Sequence, residues 1–304
     1  MEVQVKRTLV VPPPQTCETE EVPLTVFDLV APTYHVTVLF AFSLPNPTTR
    51  ALLDALSATL PHFPLLTARL ERRGARRRPY FVTGRGGAGA LVVEAEVASD
   101  LADHLPLAPS PELARLHPPV NTDAPTPHVL LVQINRFACG GLVVASSAHH
   151  QAADGQGQGA AAAGAFRVVD PSEVANLLLH YPSEFVAELK RRAQGKYTTF
   201  ETVSAHVWKK ITAVRGLDAG VRTSVNVSVN GRARLGTATV PNGFFGNLII
   251  TASSGATARE LTTGTLADAA ALVRAGIRAV DRRYFQSFVD FGALHCDEDE
   301  PVEP

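Results

Sequence analysis

No run of about 18 consecutive apolar residues occurs in the 304-residue chain, so no stretch has the length of a membrane-crossing helix. The opening, MEVQVKRTLVVPPPQ, lacks a long apolar core and is broken by Pro12, Pro13 and Pro14, which argues against a secretory leader. Cysteine is scarce. Cys17, Cys139 and Cys296 are odd in number and far apart, the usage of free thiols in a reducing compartment, so the expected location is cytoplasmic. An excess of one charge sign is also missing: 28 Lys and Arg stand against 29 Asp and Glu, leaving no basic surplus to neutralise a phosphate backbone, and nucleic acid is not expected as a partner. Only 19% of residues are charged while 45% are hydrophobic, which excludes a charge-extended disordered chain and supplies material for a sizeable core. At roughly 150 residues per domain the length suits about two domains. No fixed-period repeat is visible, which excludes solenoids and propellers.

What is present alternates between helical and strand patterning. Leu52, Leu53, Leu56 and Leu60 share one helical face over 49–60, ahead of Pro61. Residues 128–136 and 141–148 read as two buried strands around the turn Cys139-Gly140-Gly141. Helix is expected at 183–193, with Phe185, Val186 and Leu189 as its stripe, and again at 199–214. There Thr198 and Glu201 have capping-box spacing, and Phe200, Val203, Val207, Ile211 and Val214 recur at helical intervals before Gly216. Residues 224–230 alternate Val with Ser and Asn, the pattern of a half-solvated strand. A further strand is expected at 245–251 and a long helix at 258–281. This alternation favours a layered α/β fold. A small-residue stretch at 160–167 joins two apparent modules, and 296–304 reads as a solvated acidic tail.

The conspicuous polar cluster is His149-His150-Gln151-Ala152-Ala153-Asp154-Gly155, at the end of the second buried strand. An imidazole, mostly neutral near pH 7, is the natural general base there. An aspartate four residues later either orients the ring or pins the loop to an arginine elsewhere, and Gly155 permits a sharp exit from the strand. The spacing alone is weak: His295 to Asp299 repeats it in the tail, and the pair His149 and His150 also reads as ordinary polar residues at a strand end. A metal site is not expected, because neighbouring strand residues point to opposite faces and no His-x-x-x-His or Cys-x-x-Cys accompanies them. GQGQG at 155–159 lacks the ending of a phosphate-binding loop. Cys139 at a strand turn reads as a small inert residue rather than a nucleophile.

With this cluster the sequence resembles the plant BAHD acyltransferases, whose signature is His-x-x-x-Asp-Gly after a core strand. Leu24, Thr25 and Asp28 match the family's early Leu-Ser/Thr-x-x-Asp segment. LPHFPLLTARL at 60–70 resembles its Tyr-Pro-Leu-Ala-Gly-Arg-Leu element through Phe63-Pro64-Leu65 and Arg69-Leu70. VNGRARL at 229–235 is similar to its Asp/Asn-x-Arg-x-Arg segment and GFFGNLI at 243–249 to its Tyr-Phe-Gly-Asn segment. Five motifs in family order span residues 22 to 250. The resemblance implies a chloramphenicol-acetyltransferase-like α/β fold: an N-terminal domain at 1–159, a linker at 160–170 and a C-terminal domain at 171–304, with a channel between them open at both ends. Acyl-CoA would enter one end as co-substrate, with no bound cofactor or metal, and an amine or alcohol acceptor the other. His150 would take the acceptor's proton as it attacks the thioester. Asp154 would point away from the reacting atoms and pair with an arginine, Arg232 being the best match and Arg234 the alternative, with Gly155 supporting the loop.

Two departures accompany the resemblance. Family members run longer and carry Asp-Phe-Gly-Trp-Gly near the C-terminus; here Asp290-Phe291-Gly292 is followed by Ala293-Leu294, a stretch more like a segment upstream of that motif. The linker at 160–167 is also shorter than the family's. The expectation is a second domain lacking strands of its sheet, with unpaired edges and exposed apolar surface. A catalytically inactive remnant is therefore the alternative to an active enzyme. The opening MEVQVKRT and the run 183–250 are most similar to grass hydroxycinnamoyl transferases acting on amines such as putrescine, agmatine or tryptamine. That implies a hydroxycinnamoyl-CoA donor, phenolic amide products and a monomer with no membrane partner.

Overall fold

The computed structural model describes residues 1–72, 78–107, 110–118, 126–154, 178–241 and 243–294. In chain order these residues form β1 (Val3–Val11), β2 (Glu20–Pro23), α1 (Val26–Leu29), β3 (His35–Phe42), α2 (Thr49–Thr59), β4 (Arg69–Arg72), β5 (Pro79–Thr83), β6 (Ala90–Val97), β7 (Leu130–Phe137) and β8 (Leu142–His149). There follow α3 (Ser183–Arg192), α4 (Thr199–Val214), β9 (Arg222–Asn230), α5 (Arg232–Leu235), β10 (Ile249–Thr257), α6 (Ala258–Thr263), α7 (Leu266–Ala279) and α8 (Arg282–Leu294). Five strands make the main sheet in the order β1-β6-β7-β8-β3, with β6 and β7 parallel and the other pairs antiparallel. A three-stranded sheet, β2-β5-β4, lies in the same half, and β10-β9 is a two-stranded sheet in the other. None of the described helices is long and apolar enough to cross a membrane.

β7 sits at the centre of the main sheet, paired along both edges, and residues on both its faces are buried. Leu130, Val132 and Ile134 pack with Leu52, Leu53 and Leu56 of α2 and with Leu60, the stripe read from the sequence. The opposite face carries Gln133 and Asn135, buried yet satisfied: Gln133 Nε2 donates to Arg115 O and Asn135 Oδ1, and Asn135 Nδ2 to Leu116 O and Val143 O. The strands expected at 128–136 and 141–148 are thus β7 and β8 with ends moved by one or two residues.

The second half departs from the sequence pattern in three places. α4 has the expected capping box, Thr198 with Glu201, but its aliphatic stripe is not the packed face. Phe200, Ile211 and Val214 are 55%, 48% and 88% exposed, and Phe200 and Ile211 with Val203 and Val207 line an open groove of about 730 Å³ beside β9. The buried face is Glu201, Thr202, Ala205, Trp208 and Thr212. Small residues let α4 approach Ala269 and Ala270 of α7 closely, and the polar ones are bonded: Arg274 grips both Glu201 oxygens at 3.0 and 2.7 Å, holding that carboxyl down to about 2. Trp208 Nε1 donates to Thr223 Oγ1. The long helix expected at 258–281 is two helices, because α6 stops at Gly264 and Thr265 caps a new one with Asp268. Lys209 Nζ donates to the carbonyls of Leu261 and Gly264 at that break. The strand expected at 245–251 begins only at Ile249 and runs on to Thr257; positive φ at Gly243 and Gly246 keeps 243–248 a loop.

α1 crosses from the first half into the core of the second. Val26 and Phe27 pack with Val229, Leu235, Leu248, Ile250 and Phe285, and α8 closes over them, Gly292 lying against Val26. The Asp290-Phe291-Gly292 stretch is therefore part of α8, with Gly292 packed and Asp290 and Phe291 exposed. Cys17 and Cys139 are free and exposed, whereas Cys296, Gly155 and the stretch 160–167 lie outside the described residues.

Gly231 abuts Phe285 so closely that an added Cβ would sit 2.4 Å from Cε1 of the ring. Gly231→Ala should cost about 1–3 kcal/mol by overpacking. Gly220→Ala, facing open space, should stay within about 0.5 kcal/mol. Urea unfolding of the two variants checks the contrast.

Candidate active site

β8 ends at His149 and turns at once, with Ala152 N–H donating to His149 O at 2.9 Å. Pairing with β3 places His149 opposite His35, and their rings meet edge to face at 5.2 Å. His149 is kept neutral: burial, then the neighbouring His35, push its pKa down to about 4. Its neighbour His150 is the first residue of the turn. His150 is buried at 7% exposure, and both its ring nitrogens are shielded from solvent with no hydrogen-bond partner among the described residues. A buried imidazole left open at both nitrogens is costly unless something else is to bind there. Its backbone, by contrast, is held on both sides: His150 N–H donates to Tyr34 O at 3.0 Å and its carbonyl accepts from Asn247 Nδ2 at 2.8 Å.

Asp154 is bonded to an arginine and a backbone amide. Its Oδ2 accepts from Arg232 Nη1 at 3.0 Å and from Leu248 N–H at 2.8 Å, with the carboxylate side chain only 2% exposed. Arg232 sits at the start of α5, directly after β9, and also donates to Gly246 O at 2.8 Å while lying over the Phe244 ring. Arg234 is turned away, donating to Ile277 O. Of the two arginines, Arg232 is the one that meets Asp154. This ion pair ties the end of β8 to the β9 exit and the 243–248 loop, two elements of the other half.

Two residues that the sequence placed in motifs without a role belong to the same constellation. Asp28 is buried in α1, and Asn247 Nδ2 donates to its Oδ1 at 2.8 Å as well as to His150 O. The Thr25-x-x-Asp28 spacing was the available signal, since it is the pattern of a capping box. Nearby, the rings of Phe63 and Phe245 stack edge to face at 5.1 Å, joining the 60–70 segment to the motif that carries Asn247. Among the described residues no three His, Cys, Asp or Glu side chains are grouped to hold a metal. The α4 groove and a second cavity of about 380 Å³ beside Glu96 and Arg136 are both lined by residues other than His150 and Asp154.

Comparison with known proteins finds relatives over most of the chain. The Transferase family model matches residues 1–160 and 172–299. Tryptamine hydroxycinnamoyltransferase 2 of Oryza sativa subsp. japonica is 32% identical over 89% of this chain and 73% of its own length. Agmatine hydroxycinnamoyltransferase 1 of the same plant is 32% identical over 92% and 74%. Among solved structures, vinorine synthase superposes with a TM-score of 0.69 at 19% identity, over 99% of this chain and 81% of that one. TRI101 of F. sporotrichioides, solved with coenzyme A and T-2, gives 0.63 at 17%, over 93% and 80%. These neighbours share the expected two-domain, chloramphenicol-acetyltransferase-like α/β fold.

Removing Arg232 strands a buried carboxylate, so Arg232→Met should destabilise by about 3–5 kcal/mol. The double variant Asp154→Asn, Arg232→Met should lose clearly less than the sum of the two single losses, as denaturant midpoints would show. A second expectation concerns pH. Because the folded His149 pKa lies below its unfolded value near 6.5, the unfolded chain binds the extra proton and stability falls as pH drops from 6.5 towards 4. His149→Gln should flatten that part of the urea-midpoint profile.

Proposed function

This chain belongs to the BAHD acyltransferases of the Transferase family, enzymes that move acyl groups other than aminoacyl from CoA thioesters, and on that premise we propose that it transfers a hydroxycinnamoyl group to an amine with His150 as general base. The donor and acceptor classes follow the names of its relatives, which act on tryptamine, agmatine and putrescine. The observation that carries the base assignment is the buried His150 ring with neither nitrogen bonded by any of the described residues.

In this reading the acceptor nitrogen attacks the thioester carbonyl carbon while an unprotonated His150 nitrogen accepts its proton. Collapse of the tetrahedral adduct breaks the C–S bond, and the imidazolium returns the proton to the departing sulfur, so amide and free CoA thiol form with nothing left on the enzyme. Asp154, committed to Arg232 and Leu248, takes no part in proton transfer and instead fixes the loop that follows His150. Arg232 supports it. Acyl-CoA serves as co-substrate and no further cofactor is invoked. The enzyme so described works as a monomer in the cytoplasm.

Incubation with p-coumaroyl-CoA and agmatine, followed by mass spectrometry, should yield the amide and free CoA. His150→Ala should lower the rate by about 10²–10⁴-fold. An alkylammonium with a pKa near 10 must lose a proton before attack. The apparent kcat/KM for amine should therefore rise close to tenfold per pH unit between about 6 and 8. Free coumarate would point to hydrolysis instead, and an untouched thioester to the inactive remnant.

A further inference from the structure

We propose that Asn247 and Asp28 are positioning residues that act as one clamp on the backbone of His150; the inference rests on His150 being the general base. No side chain among the described residues holds the His150 ring, since both nitrogens are without a partner. Where a ring is not steered by a hydrogen bond of its own, its aim is set by the backbone that carries it. That backbone is fixed by Tyr34 O on one side and Asn247 Nδ2 on the other.

Asn247 can do this only if its amide is itself oriented. Its two N–H bonds diverge, and each is used: one to His150 O and one to Asp28 Oδ1, both at 2.8 Å. Asp28 is in turn immobilised, because its Oδ2 accepts from Thr25 N–H at 2.8 Å and Thr25 Oγ1 at 2.7 Å, and its own N–H donates back to Thr25 Oγ1 at 3.3 Å to complete the α1 capping box. Asp28, Asn247 and His150 are only 8%, 5% and 7% exposed, so water does not replace a lost partner and every broken bond leaves a buried group unsatisfied. Burial raises the Asp28 pKa, and the bonds from Thr25 and Asn247 oppose that rise. The clamp thus joins three distant pieces of chain, the first turn of α1, the end of β8 and the 243–248 loop, at the base itself. A misplacement of about 1 Å at such a group costs on the order of 10²-fold in rate.

The test uses the full chain with p-coumaroyl-CoA and agmatine, comparing Asn247→Ala, Asn247→Asp, Asp28→Asn, the double variant Asp28→Asn, Asn247→Ala, and His150→Ala. Rates are taken per folded molecule, the folded fraction being read from thermal unfolding. Asn247→Ala and Asp28→Asn should each lower kcat about 10- to 100-fold, with KM for the thioester within about twofold. The double variant should be no worse than the poorer single one, because the two residues act as a unit. Asn247→Asp sets two carboxylates together and aims one at a carbonyl. Its rate relative to wild type should recover as pH falls, because only the protonated carboxyl can donate. Independently of turnover, the ring ¹⁵N signals of His150, assigned by their loss in His150→Ala, should move in each clamp variant. Unchanged kcat together with unmoved ring signals overturns the clamp, as does a loss of activity that merely tracks the unfolded fraction. A variant too unstable to assay leaves the decision to Asp28→Asn and its ring signals. If His150→Ala keeps the wild-type rate, the base assignment fails and the clamp has nothing to position. If only the clamp variants keep it, the clamp fails alone.

Discussion

The ion pair between Asp154 and Arg232 is the constraint on which the arrangement of the molecule depends. It spans the seam between the main sheet and the second half, and it lies at the one place where the chain leaves β8 carrying His150. Burying such a pair is expensive, and the Coulombic gain alone does not guarantee a net benefit. Here the remaining capacity is used: Leu248 N–H shares the same carboxylate oxygen, and Arg232 spends a second nitrogen on Gly246 O. The pair therefore fixes geometry in three segments at once. Its worth lies in specifying one docking of the two halves.

α1 reinforces that docking by a different physical route. Four residues cannot make a stable isolated helix, yet α1 is held by a capping box at its start and by the burial of Val26 and Phe27 in the core of the second half. Gly231 and Gly292 are the concessions that let Phe285 and Val26 close over this junction. Apolar contact and the polar pair thus act on the same seam.

How much of this was legible in the sequence depended on whether the signal was local. The β7 and β8 strands and the Leu stripe of α2 showed, because their burial repeats at the period of the element. The Thr198 cap showed because it is complete within four residues. The packed face of α4 did not. Its buried residues are Glu201, Thr202, Ala205, Trp208 and Thr212, chosen for close approach and for partners on α7 and β9 that only the fold brings near. The more hydrophobic stripe is left lining a groove. The break between α6 and α7 was visible only as Gly264-Thr265-x-x-Asp268, easily absorbed into a long apolar pattern. At the site, His150, Asp154 and Arg232 were readable from motifs. Asp28 and Asn247 stood in motifs too, but their chemistry is a contact across 219 residues, which no spacing rule reaches.

The two adjacent histidines show why the aspartate is better placed at the seam than at the ring. Transfer from a thioester to an amine asks one group to take a proton and then return it to sulfur. A carboxylate bonded to the imidazolium would stabilise the charged form and so slow the second half of that exchange. Directing Asp154 at Arg232 removes that contact, while the paired His35 and His149 keep a further positive charge away, His149 being neutral at working pH. In the reaction proposed above, His150 is then a ring held by its backbone rather than by a counter-ion, and orientation would replace added basicity as the means of catalysis.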